Sequence, residues 1–407
     1  MKDRTSAIDL PLMLAAFAAS LFGLFAIWDS GYARAAEKGA IMPAEVFKQA
    51  IWLAIALGVG IFATTWHQGV WRKWGWPALI LSVLCLGLVL VPGLGKEIGG
   101  AKRWIEVGPV TMQPAEFVKL GVILFLAGAL AYRKPMPTLP KKRLLWFEKL
   151  DWVTFPLIAR SWPIIIAGLA FVGIELITQD LDTAAALVVV MLGMMLIAGV
   201  KWTRVGFLVL LLGAGAMIMT KQQDYRDSRI SAHYQRWEPE NRDDIGYQAT
   251  ISESGHASGG IFGVGLGEGR SKHILPVATT DFIMATVAEE FGLAGSLSIL
   301  FLLGFIVWRL MSLAAKADMH PRLILGGAAI WIGAQTVANM AMANASLPTM
   351  GIPLPFVSAG GSSLIALWLV IGAGLGALVP APVKEEARRH ATRRNGWRNG
   401  RPRVSRA

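Results

Sequence analysis

Apolar runs long enough to cross about 30 Å of hydrocarbon recur along most of the chain, at residues 10–28, 49–66, 76–91, 115–132, 162–178, 183–200, 204–220, 282–311, 323–345 and 362–379. Ten such runs predict an all-α polytopic membrane protein with ten transmembrane helices, because a helix satisfies its own backbone where no water can. The pattern breaks between the seventh and eighth runs. Residues 221–280 are polar and glycine-rich, and Asp281 closes them at the mouth of the next helix, which predicts a large loop outside the bilayer. Residues 347–363 fit neither class. They are too apolar for water and carry Pro348, Pro353 and Pro355, so the segment is expected to dip back into the protein, where other helices can bury it. The chain thus divides into a membrane domain, 1–380, with its loop 221–281, and a basic tail, 381–407, too poor in apolar residues to build a core.

Composition agrees, with 54% hydrophobic and only 16% charged residues. The charges are placed unevenly. Arg72 and Lys73 follow the second run, Arg133 to Arg160 the fourth, Lys201 and Arg204 the sixth, and Arg309 to Arg322 the eighth, with more in the tail. By the positive-inside rule both termini are cytoplasmic and the 221–280 loop faces outward. The net charge of +12 then reflects topology and contact with anionic lipid, so nucleic acid is not expected as a partner. A lone Cys85 rules out an intrachain disulfide. Lys2 and Arg4 before the first run, and Ala33 to Ala36 after it, resemble a signal peptide; nine further spans favour an uncleaved first helix.

Ionisable groups at membrane depth are costly and mark function. Asp281 is the foremost candidate, against the alternative that it only caps the following helix. Gln113, Glu116 and Lys119 recur at i, i+3 and i+6 and share a helix face, either as an ion pair joining helices or as the polar wall of a cavity. Lys102, Arg103 and Trp104 place two cations and an indole at the membrane surface. Asp180 and Asp182 form an acidic outer turn, and Glu175 lies one turn inside the run before it. Glu289 and Glu290 need partners, Lys119 or a loop cation. The alternation Gly263, Gly265, Gly267, Gly269 lacks the spacing and lysine of a phosphate loop; here glycine lets the backbone pass close to a ligand or partner. His233, His256 and His273 lack metal-ligand spacing.

In these motifs the chain resembles the SEDS family (shape, elongation, division, sporulation), the polytopic peptidoglycan polymerases typified by FtsW and RodA. The resemblance rests on Gly100 to Trp104, Gln113 to Lys119, Gly246-Tyr247-Gln248, Gly265-Leu266-Gly267, Leu275-Pro276 to Phe282, Glu289 to Gly292, and 347–363, in that order. Leu347-Pro348-Thr349 and the basic tail lean towards the FtsW branch. Several positions depart from the family pattern. Gly99 replaces Asn; Thr178 to Asp182 replace Gln-Pro-Asp-Leu-Gly; Val277 and Thr279 replace Glu and His; Ala359 replaces Tyr; and the spacer after Gly267 is one residue short.

The resemblance implies a ten-helix enzyme of the bacterial cytoplasmic membrane that polymerises lipid II at the outer leaflet, with Asp281 essential. Trp104, Gln113, Glu116, Lys119 and Asp180 are the implied cavity residues. Asp281 then activates a sugar hydroxyl as general base. Arg103, Lys119 and Lys272 face the departing pyrophosphate, Glu290 joins the substrate-binding set, and a divalent cation, Mg or Mn, is admitted as an assistant. No second carboxylate stands as a nucleophile, so inversion is expected. The implied partners are a class B penicillin-binding protein and other divisome or elongasome proteins. Two rivals stand beside this reading. A lipid flippase or transporter would keep its critical carboxylates near the midplane. A non-catalytic division scaffold would not need Asp281.

Overall fold

The computed structural model describes residues 8–37, 39–98, 101–108, 110–132, 180–200, 233–242, 244 and 246–381, with fragments between 163 and 178 and at 205–206. The fifth and seventh predicted spans lie largely outside these residues, as do the connector 133–162, Glu175 and the tail. Each of the other eight predicted runs coincides with a helix. These are α1 (Leu10–Glu37), α2 (Ala44–Thr64), α3 (Gln68–Gly87), α4 (Pro114–Ala131), α5 (Leu181–Ile197), α7 (Ile283–Ala315), α8 (Met319–Ala343) and α9 (Gly361–Ala377). A further helix, α6 (Tyr247–Gly259), lies within the loop. Six of the set are long and apolar enough to cross a membrane, while α5 and α9 are shorter. The protein is therefore a helical membrane protein.

Burial separates inner helices from lipid-facing ones. Of the span windows, 78% of α4 and 67% of α8 are buried, against 28% of α2 and of α3. The exposed faces carry Ile51, Phe62, Leu81, Leu84, Phe301 and Trp308, side chains that hydrocarbon accepts at no cost. Helix α4 packs on α3, α2 on α9, α8 on α7 and α5, and α1 on α7. Local signals set several starts. Pro114 occupies the first turn of α4, where its missing N–H is harmless. Asp180 caps α5, accepting the Thr183 amide at 3.1 Å and its hydroxyl at 2.9 Å.

Helices α1 and α7 run antiparallel, with ion pairs near both ends of α1. Arg309 grips Asp9 through two bonds of 3.0 and 2.8 Å. Near the other end Asp29 pairs with Lys272 of the loop. The all-α expectation needs one addition. Between α3 and α4 the chain folds into an antiparallel meander of β1 (Gly95–Ile98), β2 (Ala101–Val107) and β3 (Val110–Met112). Its register sets Trp104 opposite Lys96 and Ile105 opposite Met112. The predicted loop is likewise not bare coil, since α6 within it packs on α7.

The i, i+3 pair on α4 lies in this interior. Lys119 Nζ donates to Glu116 Oε1 at 2.6 Å, their side chains are 0% and 1% exposed, and the ammonium stands 4.9 Å from the centre of the Trp331 ring. Two charges removed from water together cost far less than either alone. Lys119→Met should therefore destabilise the protein by about 3–5 kcal/mol. Adding Glu116→Gln should recover most of that loss, as thermal unfolding in detergent will show.

Candidate functional site

The site is built on irregular backbone, so its polar groups need partners from within the protein. Asn339, buried on α8, donates from Nδ2 to the carbonyls of Asp281 and Ile352, each at 2.8 Å. The Ser358 hydroxyl donates to the Thr280 carbonyl at 2.7 Å and accepts the Leu354 amide at 2.8 Å. The Ala359 amide reaches the Thr279 carbonyl at 3.0 Å. Gln49 of α2 accepts the Gly360 amide at 3.1 Å. Residues 347–363 thus re-enter the protein as expected, with Ile352, Leu354, Phe356 and Val357 buried, and they brace the backbone that leads into Asp281.

Between these segments lies a cavity of about 330 Å³, lined among others by Asp281, Arg103, Trp104, Gln113 and Asp180. Asp281 is half-buried, at the step into α7. Gln113 enters from the start of α4, its side-chain Nε2 donating to Asp180 Oδ2 at 3.1 Å, while its backbone N–H donates to the Ser362 hydroxyl at 2.9 Å. Arg103 comes from β2 and donates from Nε to the Thr178 carbonyl at 3.4 Å. Four of the predicted binding residues are therefore gathered around Asp281.

The other four lie elsewhere. Glu116 and Lys119 form the buried pair described above. Lys272 does not line this cavity. Its ammonium donates to Asp29 Oδ1 at 2.8 Å and lies 2.6 Å from Glu290 Oε1. Burial alone would discharge the lysine, but hydrogen bonds to Asp29 and then Glu290 outweigh it and hold it above the ordinary lysine value. With the folded value raised, this contribution is complete throughout the neutral range and lost only as the pH climbs past it. Glu290 thus finds the loop cation that one of its two readings required. Nothing in the sequence marks Asp29, a single carboxylate directly after the first run.

The glycine run closes on the protein's own helix, and this corrects the expectation of a ligand or partner. Gly292, at φ 64°, interrupts α7. The amides of Leu293 and Ala294, cut off from their helical acceptors, bond the carbonyls of Gly260 at 2.9 Å and Ile261 at 3.0 Å. In return Val264 and Gly265 donate to the carbonyls of Glu289 and Glu290. A Cβ on Gly263 would stand 2.0 Å from the Glu290 carbonyl oxygen, so no larger residue fits. Glu289 accepts the amide and hydroxyl of Ser271 at 2.8 and 2.5 Å. Loop and helix are thereby one unit ending at Asp281. Among the described residues no three His, Cys, Asp or Glu side chains approach closely enough to hold a metal ion.

The model of the FtsW, RodA and SpoVE family, described as cell cycle protein, matches residues 10–377. A protein of Allochromatium vinosum named probable peptidoglycan glycosyltransferase FtsW is 33% identical over 365 residues, covering 88% of this chain and 86% of that one. A namesake from Trichlorobacter lovleyi is 32% identical over 379 residues, covering 91% and 92%. Among solved structures, a chain of a peptidoglycan synthase complex, studied for the coordination of polymerization and crosslinking, superposes with a TM-score of 0.70. It is 26% identical, over 90% of this chain and 96% of that one. The rod shape determining protein RodA of Thermus thermophilus is similar at a TM-score of 0.60 and 26% identity, over 91% and 95%.

The buried triad makes its own prediction. Lys272→Met leaves two carboxylates facing each other without their cation, at a cost of about 3–5 kcal/mol. The triple variant with Asp29→Asn and Glu290→Gln should unfold nearer the parent temperature than Lys272→Met alone.

Proposed function

Because the chain belongs to the FtsW/RodA/SpoVE family of SEDS proteins, and is with them a peptidoglycan glycosyltransferase, we propose that Asp281 is the general base of the transfer and that lipid II is the substrate. The observation that carries this reading is the cavity in which Asp281 meets Arg103, Trp104, Gln113 and Asp180. The acceptor's sugar hydroxyl gives its proton to the Asp281 carboxylate as its oxygen attacks the anomeric carbon of the donor. The bond from that carbon to the lipid pyrophosphate breaks, and the departing oxygen keeps the electron pair. Of the three cations assigned to phosphate by the sequence, Arg103 alone lines the cavity, since Lys119 and Lys272 are held in buried ion pairs. The pyrophosphate charge therefore falls to Arg103. One attacking oxygen and one leaving oxygen on opposite sides of the carbon give inversion. A divalent ion has no cluster of protein ligands among the described residues, and no step here passes through one.

We read the chain as ten spans in the cytoplasmic membrane, both termini inside, with residues 221–281 outside. Asp9 and Arg309 then sit at the inner face, beside the basic N-terminus, and Asp281 at the outer boundary. That placement favours a polymerase over a transporter, which would keep its working carboxylate near the midplane. The likeness to a synthase complex supports a partner, which we take to be a class B penicillin-binding protein.

Asp281→Asn keeps the size and the backbone contacts of the residue but cannot take a proton. Glycan-chain synthesis from purified lipid II should fall by about 10²–10⁴-fold, at an unchanged unfolding temperature. Parent-level polymerisation by this variant would defeat the reading.

A further inference from the structure

Asp182 stands where the family pattern carries glycine, and the structure gives it a partner far along the chain. From the first turn of α5 its Oδ2 accepts the amide of Gly351, in the re-entrant segment, at 3.0 Å. The point that a Cβ on Gly351 would occupy is 3.9 Å from Arg103 Nη1, 4.0 Å from Asp182 Oδ2 and 4.0 Å from Asp281 Oδ2. The guanidinium and two carboxylates therefore all lie within 4.0 Å of one point. Gly351, which lines the cavity, has no side chain to separate them. The neighbouring Ile352 carbonyl is tied through Asn339 to the carbonyl of Asp281, so displacing Gly351 would disturb Asp281 as well.

We propose that Asp182 is a positioning residue of the transfer reaction: it anchors Gly351 and shares the Arg103 guanidinium with Asp281, so that Arg103 stays directed at the pyrophosphate and Asp281 stays a strong base. Asp182 is not among the residues that line the cavity. Its charge acts through Arg103. One guanidinium beside a single carboxylate binds it as a close pair and makes it a weaker base; a second carboxylate divides that attraction. Among the described residues, the charged groups that line this cavity with Asp281 are Arg103 from β2 and Asp180 from the start of α5, and Asp182 lies beside Gly351. Asp180 is committed to Gln113 and the cap of α5, with bonds of 3.1, 3.1 and 2.9 Å. Asp182 is the carboxylate placed to balance Arg103.

This inference rests on Asp281 being the base, and the two fail differently. The purified full-length protein is assayed for lipid II polymerisation across pH as the parent, Asp182→Asn, Asp182→Ala and Asp281→Asn. Asp182→Asn keeps an oxygen for the Gly351 amide and removes the charge. It should unfold at the parent temperature, lose about three- to tenfold in kcat with little change in KM, and move the acid limb of the pH profile down by about one unit as Arg103 closes on Asp281. Asp182→Ala, which also loses the anchor, should fall further. An Asp182→Asn enzyme with the parent's kcat and pH profile overturns the inference, even if Asp281→Asn is inactive. An active Asp281→Asn enzyme overturns the base assignment on which it rests. If Asp182→Ala does not fold, Asp182→Asn still decides.

Discussion

Two amide hydrogens of Asn339, buried on a central helix, hold together the two irregular segments from which the site is made. Asp281 sits where loop gives way to helix. At that depth each broken backbone bond has to be replaced from within the protein. The Asp281 and Ile352 carbonyls are paid by one side chain, and Ser358, Gln49 and Ser362 serve the neighbouring turns. The same need explains the break in α7. Its orphaned amides and carbonyls are taken up by residues 260–265, and this welds the loop to the helix that carries Asp281. An acid on loop backbone is thereby held with the precision of one on a regular element.

Charge follows the same logic. Glu116 and Lys119 neutralise each other beside Trp331, and Lys272 is clamped by Asp29 and Glu290. Both sets lock helices or loop in place, one at the centre of the bundle and the other where α1 meets the loop. Around the cavity, by contrast, Arg103 Nη1 and the Oδ2 atoms of Asp182 and Asp281 all lie within 4.0 Å of one point beside Gly351. The first two sets are bonded inward, and the third faces a cavity.

How much of this the sequence shows depends on the range of the interaction. The spans are legible because each is a local run of apolar residues, and 347–363 stands out because its prolines and its hydropathy disagree. Glu116 and Lys119 are one turn apart, so their pairing was one of two readings. Asp29 and Lys272 are 243 residues apart, and nothing local in either marks the other. The resemblance alone therefore points Lys272 to phosphate, while the fold pairs it with Asp29 and Glu290. The meander escaped notice because its strands are short and carry Lys, Arg and Glu among their apolar positions. The glycine run was legible as close approach, but the surface approached was not, since a kink in α7 is a property of the folded chain.

The departures from the family pattern fall mainly where backbone, not side chain, carries the contact. Ala359 binds Thr279 through its amide and the Thr279 carbonyl, a bond indifferent to what either side chain is. Val277 and Ala359 line the cavity in place of Glu and Tyr, so its wall offers fewer polar groups than the family pattern would. A wall stripped of one acid and one hydroxyl raises the weight of the charges that remain, because fewer dipoles screen them. Arg103, Asp180 and Asp281, with Asp182 nearby, are then the charges that set the local field. Asp182 is the one departure that adds a charge, and it adds it beside the group whose field most needs a counterweight.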